Sequence, residues 1–219
     1  MTNIVHNSDC LPAMKLMKDN QFDLAIIDVP YGINMMDSDN KSRGKLAVAK
    51  DYKKLNDSQS PNMEYFDELF RISKNQIIWG ANHFISKTPY DSSCWIVWDK
   101  DNGNNDFADC ELAYTSFKTA VRKFKYTWNG MLQEDMKNKE IRIHPTQKPI
   151  ALYKWLLKNY AKPNDTILDT HVGSGSSRIA CWEMGFDFTG FEIDKDYWEA
   201  QEKRFQIVKN QQTLFNNRS

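Results

Sequence analysis

The chain has 219 residues, of which 41% are hydrophobic, 13% aromatic and 26% charged, a balance that buries one substantial core and excludes global disorder. Lysine plus arginine equals aspartate plus glutamate at 29 each, so a whole-surface basic field is excluded and any nucleic-acid contact must rest on a local patch. The N-terminal residues turn polar within a few positions and no apolar run approaches the length of a membrane helix, which points to a cytoplasmic protein with no membrane partner.

In chain order, residues 3–9 read as a short strand, 11–19 as a helix of about two turns and 22–28 as a buried strand ending at Asp28, an order that implies a parallel pair. A long polar stretch follows Tyr31 and carries Lys41, Arg43, Lys45, Lys50, Lys53 and Lys54; a loop of that length in a compact domain is functional or disordered. Such charges are also compatible with a solvated loop. Ser60 and Pro61 start a helix with Met63, Phe66 and Phe70 at helical spacing, and residues 75–80 form the next strand. Residues 93–99 and 109–117 are further strands, and 118–143 is a mixed, basic, aromatic-bearing connection without a legible pattern. The last third alternates regularly. A helix over 149–160 places Ile150, Tyr153, Leu157 and Tyr160 on one face, and strand 165–169, a Gly/Ser turn, helix 176–184, strand 186–192 and a charged helix from about Lys195 follow. The expected fold is α/β, a doubly wound, mostly parallel sheet in one domain spanning 1–219.

Cys10, Cys94, Cys110 and Cys181 form no C-x-x-C pair and the four histidines show no ligand spacing, so reduced thiols and no metal are expected. Between strand 165–169 and its helix, Gly173 and Gly175 let a ligand approach backbone N–H groups, while Arg178 stands where a dinucleotide fingerprint needs its third glycine. Glu192 closes the next strand, where a carboxylate can accept both hydroxyls of a ribose. The pair suggests a nucleoside cofactor without a pyrophosphate, although the glycines alone fit an ordinary strand-to-helix turn.

Asp28-Val29-Pro30-Tyr31 sits at the carboxyl end of a buried strand, where open α/β sheets place their sites. The exocyclic amine of adenine or cytosine is a poor nucleophile because its lone pair is delocalised into the ring. A carboxylate at Asp28 and the Val29 carbonyl, accepting its two hydrogens, would free that lone pair for in-line attack on a methylsulfonium. Such a base must leave the duplex, and Tyr31 offers it a stacking face. In isolation the tetrapeptide also reads as a turn capped by Asp28 and shaped by Pro30 and Gly32. His144-Pro145-Thr146-Gln147-Lys148-Pro149 precedes a helix, with Thr146 and Lys148 able to reach an anionic group near its start; blandly, it is a rigid loop.

Together these segments resemble the DNA-amino methyltransferase family in the arrangement that puts the catalytic tetrapeptide ahead of the cofactor glycines. D-V-P-Y at 28–31 is similar to the family's D-P-P-Y, H-P-T-Q-K-P at 144–149 matches its cofactor-side loop, and D-T-H-V-G-S-G-S at 169–176 resembles D-P-F-x-G-S-G-T. The resemblance implies S-adenosylmethionine as cofactor, double-stranded DNA as partner and a possible homodimer. It implies that Asp28, Val29, Pro30 and Tyr31 hold the base. The cofactor set it implies runs from Asp9, Cys10 and Asp28 through His144, Thr146, Gln147 and Lys148. It continues with Asp169, Thr170, His171, Gly173, Ser174, Gly175, Ser176 and Ser177, and ends with Glu192, Ile193 and Asp194. Read alone, Asp9 is a helix cap and His171 a packing residue. Aspartate at position 28 resembles the adenine-N6 branch, with DNA contacts expected from 32–60 and 118–143. Competing readings are a cytosine-N4 enzyme, an RNA or protein amide methyltransferase, and a non-catalytic cofactor-dependent DNA-binding module.

Overall fold

The computed structural model describes residues 1–33, 53, 57–88, 90–103, 108–129 and 132–216, with side chains to 211. Of the expected basic loop, Lys41, Arg43, Lys45, Lys50 and Lys54 lie outside the described residues.

Strands β1 (Asn3–His6), β2 (Phe22–Ile27), β3 (Ser73–Trp79), β4 (Trp95–Asp99), β5 (Cys110–Thr115), β6 (Arg122–Lys125), β9 (Thr166–Asp169) and β10 (Asp187–Phe191) form one sheet. Its order is β1-β10-β9-β2-β3-β5-β4-β6. All neighbours pair in parallel except β5, which runs antiparallel to both β3 and β4. A two-stranded ribbon, β7 (Trp128–Asn129) with β8 (Leu132–Gln133), resolves part of the connection that had no legible pattern. β1 and β2 are parallel but do not pair, contrary to the local expectation. β10 and β9, the last strands in sequence, come between them, so the adjacency is decided by non-local pairing.

Helices cover both faces because side chains alternate along each strand. Leu24 and Ile26 of β2 join a core with α3 (Ile150–Tyr160) and α4 (Ser176–Met184). Ala25 and Ile27 join the opposite core with α1 (Cys10–Met14) and α2 (Met63–Ile72). α5 (Lys195–Asn216) closes the chain. The buried face of α3 is Leu152, Tyr153, Leu156 and Leu157, with Ile150 and Tyr160 only partly buried at its margins, a shift from the expected stripe.

Two helix starts and ends differ from expectation for identifiable reasons. α1 stops at Met14, after which the chain tightens into a turn with the Met17 N–H on the Met14 carbonyl at 3.0 Å, and Arg71 of α2 caps that end by donating to the Met14 and Met17 carbonyls at 2.9 and 2.8 Å. α2 starts at Met63, since Asn62 rather than Ser60 caps it by accepting from the Tyr65 N–H at 3.0 Å.

Candidate active site

The chain leaves β2 towards one side of the sheet, into β3, and leaves β9 towards the other, into β10. The β2/β9 boundary is therefore the switch point at which open α/β sheets bind ligands. The carboxyl ends of the parallel strands line up one edge in the order Asn7 to Asp9 after β1, Glu192 after β10, Asp169 ending β9, Asp28 after β2 and Gly80 after β3. Antiparallel β5 starts at the same edge and delivers Glu111 there, opposite Trp98.

At the centre, the Asp28 carboxylate accepts from the Tyr31 hydroxyl at 2.9 Å and lies 2.6 Å from the Lys148 ammonium, all on Oδ1. Lys148 also donates to the Tyr31 hydroxyl at 3.2 Å and stands 3.1 Å from Glu111 Oε2, while Glu111 pairs in turn with Lys100. Burial raises the Asp28 carboxyl above its ordinary range; Lys148 opposes that rise and Glu111 adds to it. Burial would likewise raise Glu111, but Lys148 and Lys100 outweigh it and hold the carboxyl at about 2. For Lys148, burial pulls downward and the Asp28 and Glu111 charges prevail, so the ammonium stays protonated. The Tyr31 ring stacks on His83 at 5.2 Å and 17° and packs against Gly80, whose missing side chain makes room for it.

The glycine turn carries the second half of the site. Asp169 is fully buried, accepting from the Ser177 hydroxyl at 2.5 Å and the His171 N–H at 3.0 Å, and no lysine or arginine among the described residues pairs with it. Burial, with added repulsion from Asp28 and Glu192, lifts its carboxyl to about 7. Gly173 and Gly175 take φ of +51° and +76°, the left-handed region that glycine enters freely. Glu192 accepts the Gly173 and Asp194 N–H groups at 2.8 and 2.9 Å, and Asn7 reaches the Glu192 and Ile193 carbonyls. Ile193 itself is 70% exposed beside it. Arg204 of α5 holds the turn by donating to the Ser174 carbonyl at 2.8 Å and the Ser176 hydroxyl at 2.9 Å.

The other expected positions fall as follows. Asp9 caps α1 through Leu11 N–H at 3.0 Å, and Cys10 is buried with its thiol pushed up to about 12, mainly by burial. Thr170 bridges Tyr65 and His171, at 2.5 and 2.9 Å; burial takes the His171 ring down to about 4, so it is neutral and packed. His144 lies against Tyr197 at 4.4 Å between ring centroids, accepts or donates to Thr146 at 3.1 Å, and faces Gly173. Gln147 is buried and braces its loop through the Ile143 N–H at 2.9 Å. Lys148, just ahead of α3, places its ammonium between the partly buried Asp28 and Glu111 carboxylates, whose opposite charges attract it. Asp194 pairs with Lys53 at 2.7 Å and caps the start of α5. Glu111, Lys100, Gly80 and His83 escaped the sequence reading; the available signal was a carboxylate on the same strand face as buried Ala113.

An uncompensated buried carboxylate, a left-handed glycine turn and a backbone-anchored glutamate fit a ligand with a cationic group at one end and a diol at the other. The profile of the family described as DNA methylase (N6_N4_Mtase) matches residues 49–203. The type II methyltransferase M.HpaI of Haemophilus parainfluenzae is 24% identical over 241 residues, covering 90% of this chain and 72% of the relative. A solved M1.HpyAVI–SAM complex superposes with TM-score 0.57 at 22% identity, covering 91% of this chain and 98% of the other. PvuII DNA methyltransferase, cytosine-N4-specific, gives TM-score 0.59 at 11% identity, with coverages of 96% and 92%.

Proposed function

From the premise that the chain belongs to the DNA methylase family and is an S-adenosylmethionine-dependent amino-methyltransferase of DNA, we propose that it methylates N6 of an extruded adenine, with Asp28 as the amine's acceptor. The observation that carries this reading is the Asp28 carboxylate at the switch point. Its Oδ1 is committed to Lys148 and Tyr31, while Oδ2 accepts no hydrogen bond among the described residues.

The cofactor supplies a methyl group made electrophilic by a sulfonium. Asp28 Oδ2 and the Val29 carbonyl accept the two amine hydrogens and draw the nitrogen lone pair out of the ring. With the cofactor bound, the amine nitrogen would take the methyl carbon as the carbon–sulfur bond broke, and the Asp28 carboxylate would be the adjacent acceptor for the proton the nitrogen then sheds. Tyr31 and His83 form the stacking wall for the extruded ring. Asp169 offers its uncompensated charge to the cofactor's cationic end, and Glu192 offers acceptors to its ribose. Asp9, Ile193 and Asp194 flank that end, and His144, Thr146 and the Ser174 to Ser177 turn flank the methionine side.

Aspartate rather than serine at position 28 supports adenine over cytosine. DNA contact is assigned to the segments 32–60 and 118–143, supported in the second by exposed Lys118, Arg122, Lys123, Lys125, Lys137 and Lys139. Cytoplasmic action goes with a DNA substrate. The test is transfer of labelled methyl from S-adenosylmethionine to unmethylated genomic DNA, with nucleosides separated and Asp28→Ala run alongside. Label in N6-methyladenine that disappears in the variant is the expected result. Label in N4-methylcytosine would reassign the base, and label undiminished by Asp28→Ala would remove Asp28 from the chemistry.

A further inference from the structure

Four charged side chains form a row of alternating sign beside the proposed base site, Asp28, Lys148, Glu111 and Lys100, with Lys148 buried and the other three partly buried. Lys148 is 4% exposed, donates to the Tyr31 hydroxyl at 3.2 Å, and forms ion pairs with Asp28 Oδ1 at 2.6 Å and Glu111 Oε2 at 3.1 Å. The ammonium also stands 5.6 Å over the Trp79 ring and 5.7 Å over the Tyr31 ring, so it has aromatic walls as well as anionic ones. Each member of the row comes from a different element: Asp28 follows β2, Lys148 precedes α3, Glu111 is the second residue of β5 and Lys100 follows β4.

Such a row has a specific consequence for Asp28. A lone carboxylate at that place would tend to take up a proton and lose accepting capacity, because burial raises it and the Glu111 charge adds to the rise. Lys148 supplies the opposing cation and, with the Tyr31 hydroxyl, engages Oδ1, leaving Oδ2 without a hydrogen bond among the described residues. We propose that Lys148, clamped from behind by Glu111 and Lys100, is the positioning residue that keeps Asp28 ionised and turned so that one carboxylate oxygen is presented to the substrate amine. The inference rests on the reading of Asp28 as that acceptor. It assigns Lys148 to the base side of the reaction instead of to the anionic end of the cofactor.

The experiment measures single-turnover methyl transfer to unmethylated genomic DNA against pH at saturating S-adenosylmethionine, together with cofactor affinity. The proteins compared are the wild type, Lys148→Met, Lys148→Arg, Glu111→Gln and Asp28→Asn. Lys148→Met should move the acid limb of the rate profile upward by about one to three pH units, the range expected on losing a contacting opposite charge. It should therefore be at least tenfold slower at pH 7, regain most of that loss by pH 9, and bind cofactor within about twofold of wild type. Lys148→Arg should keep the acid limb in place with a lower plateau. Glu111→Gln should lower the plateau without moving the limb upward, because it removes a negative charge from Asp28 while loosening the clamp. An unmoved acid limb in Lys148→Met, or a tenfold loss of cofactor affinity in that variant, overturns the inference while leaving the Asp28 reading intact. Full activity in Asp28→Asn brings down the underlying reading itself. If Lys148→Met does not fold, the other two variants still decide, since an acid limb that moves upward in Lys148→Arg or in Glu111→Gln overturns the inference.

Discussion

A Cβ placed on Gly80 falls 2.1 Å from Tyr31 Cε1, and Gly80 itself lies at φ +69°, so this glycine is the seat of the aromatic ring beside Asp28. Both constraints oppose substitution: the left-handed backbone disfavours a side chain by about 1 kcal/mol, and the ring must move as well. Gly80→Ala should reduce the methyl-transfer rate at least tenfold at saturating cofactor, with cofactor affinity within about twofold, because Gly80 lies on the base side of the edge. Equal loss of rate and cofactor affinity would show that the ring's displacement propagates to the glycine turn.

Much of this site was legible because it is local. Asp28 ends an apolar run, the 169–177 turn sits between a strand and a helix, and Glu192 closes the next strand; each signal spans a few residues, and all three elements form nearly where the pattern places them. What escaped depends on contacts distant in sequence. The insertion of β9 and β10 between β1 and β2 cannot be read from β1, and the Glu111–Lys148 contact joins a strand and a loop 37 positions apart. The ion pairs of Lys148 with Asp28 and Glu111 were likewise not legible, because they join it to carboxylates 120 and 37 positions away. Gly80 carried no motif, since its reason is a ring contributed by Tyr31.

Glu192 combines two tasks, which makes its substitution informative. Its carboxylate fixes the turn through the Gly173 and Asp194 N–H groups, at 2.8 and 2.9 Å, and keeps lone pairs for ribose hydroxyls. Losing charge-assisted bonds of this type costs about 1.5–3 kcal/mol. Glu192→Gln should therefore weaken S-adenosylmethionine binding by roughly ten- to a hundredfold, as read by calorimetry, with the rate at saturation nearly preserved. A fall in saturated rate with unchanged affinity would argue against a ribose role.

Glu140 and Arg204 form a largely buried ion pair at 2.6 Å, with side chains 16% and 12% exposed. Glu140 also accepts from Ile150 N–H at 2.9 Å, and Arg204 holds Ser174, so the pair ties the loop before α3 to the cofactor turn. Removing one member leaves the other buried and uncompensated, at a cost of about 3–5 kcal/mol. Arg204→Ala should lower Tm by roughly 10 °C and weaken cofactor binding. The double variant Arg204→Met with Glu140→Leu should recover most of the stability but not the affinity, since it restores packing without the donors to Ser174. Recovery of both would show that the pair acts on stability alone.

Asp169 should make both stability and cofactor binding depend on pH near neutrality. Its carboxyl is lifted from 3.8 to about 7, chiefly by burial, so the folded chain holds a proton that the unfolded chain has released. A raised folded value means the contribution to stability is fully present below about pH 4 and is lost as pH rises through about 7. Asp169→Asn, which resembles the protonated form, should then gain in Tm relative to wild type between pH 4 and pH 8, in the absence of cofactor. Cofactor affinity should run the other way in the wild type. A cationic ligand favours the ionised carboxylate, so affinity should rise from pH 5.5 to 8, and binding near pH 6.5 should release a fraction of a proton, measurable by calorimetry in buffers of different ionisation enthalpy. Asp169→Asn should bind at least tenfold more weakly at pH 8 and lose that pH dependence. A wild-type affinity that is flat across this window would show that Asp169 does not face the cationic end of the cofactor.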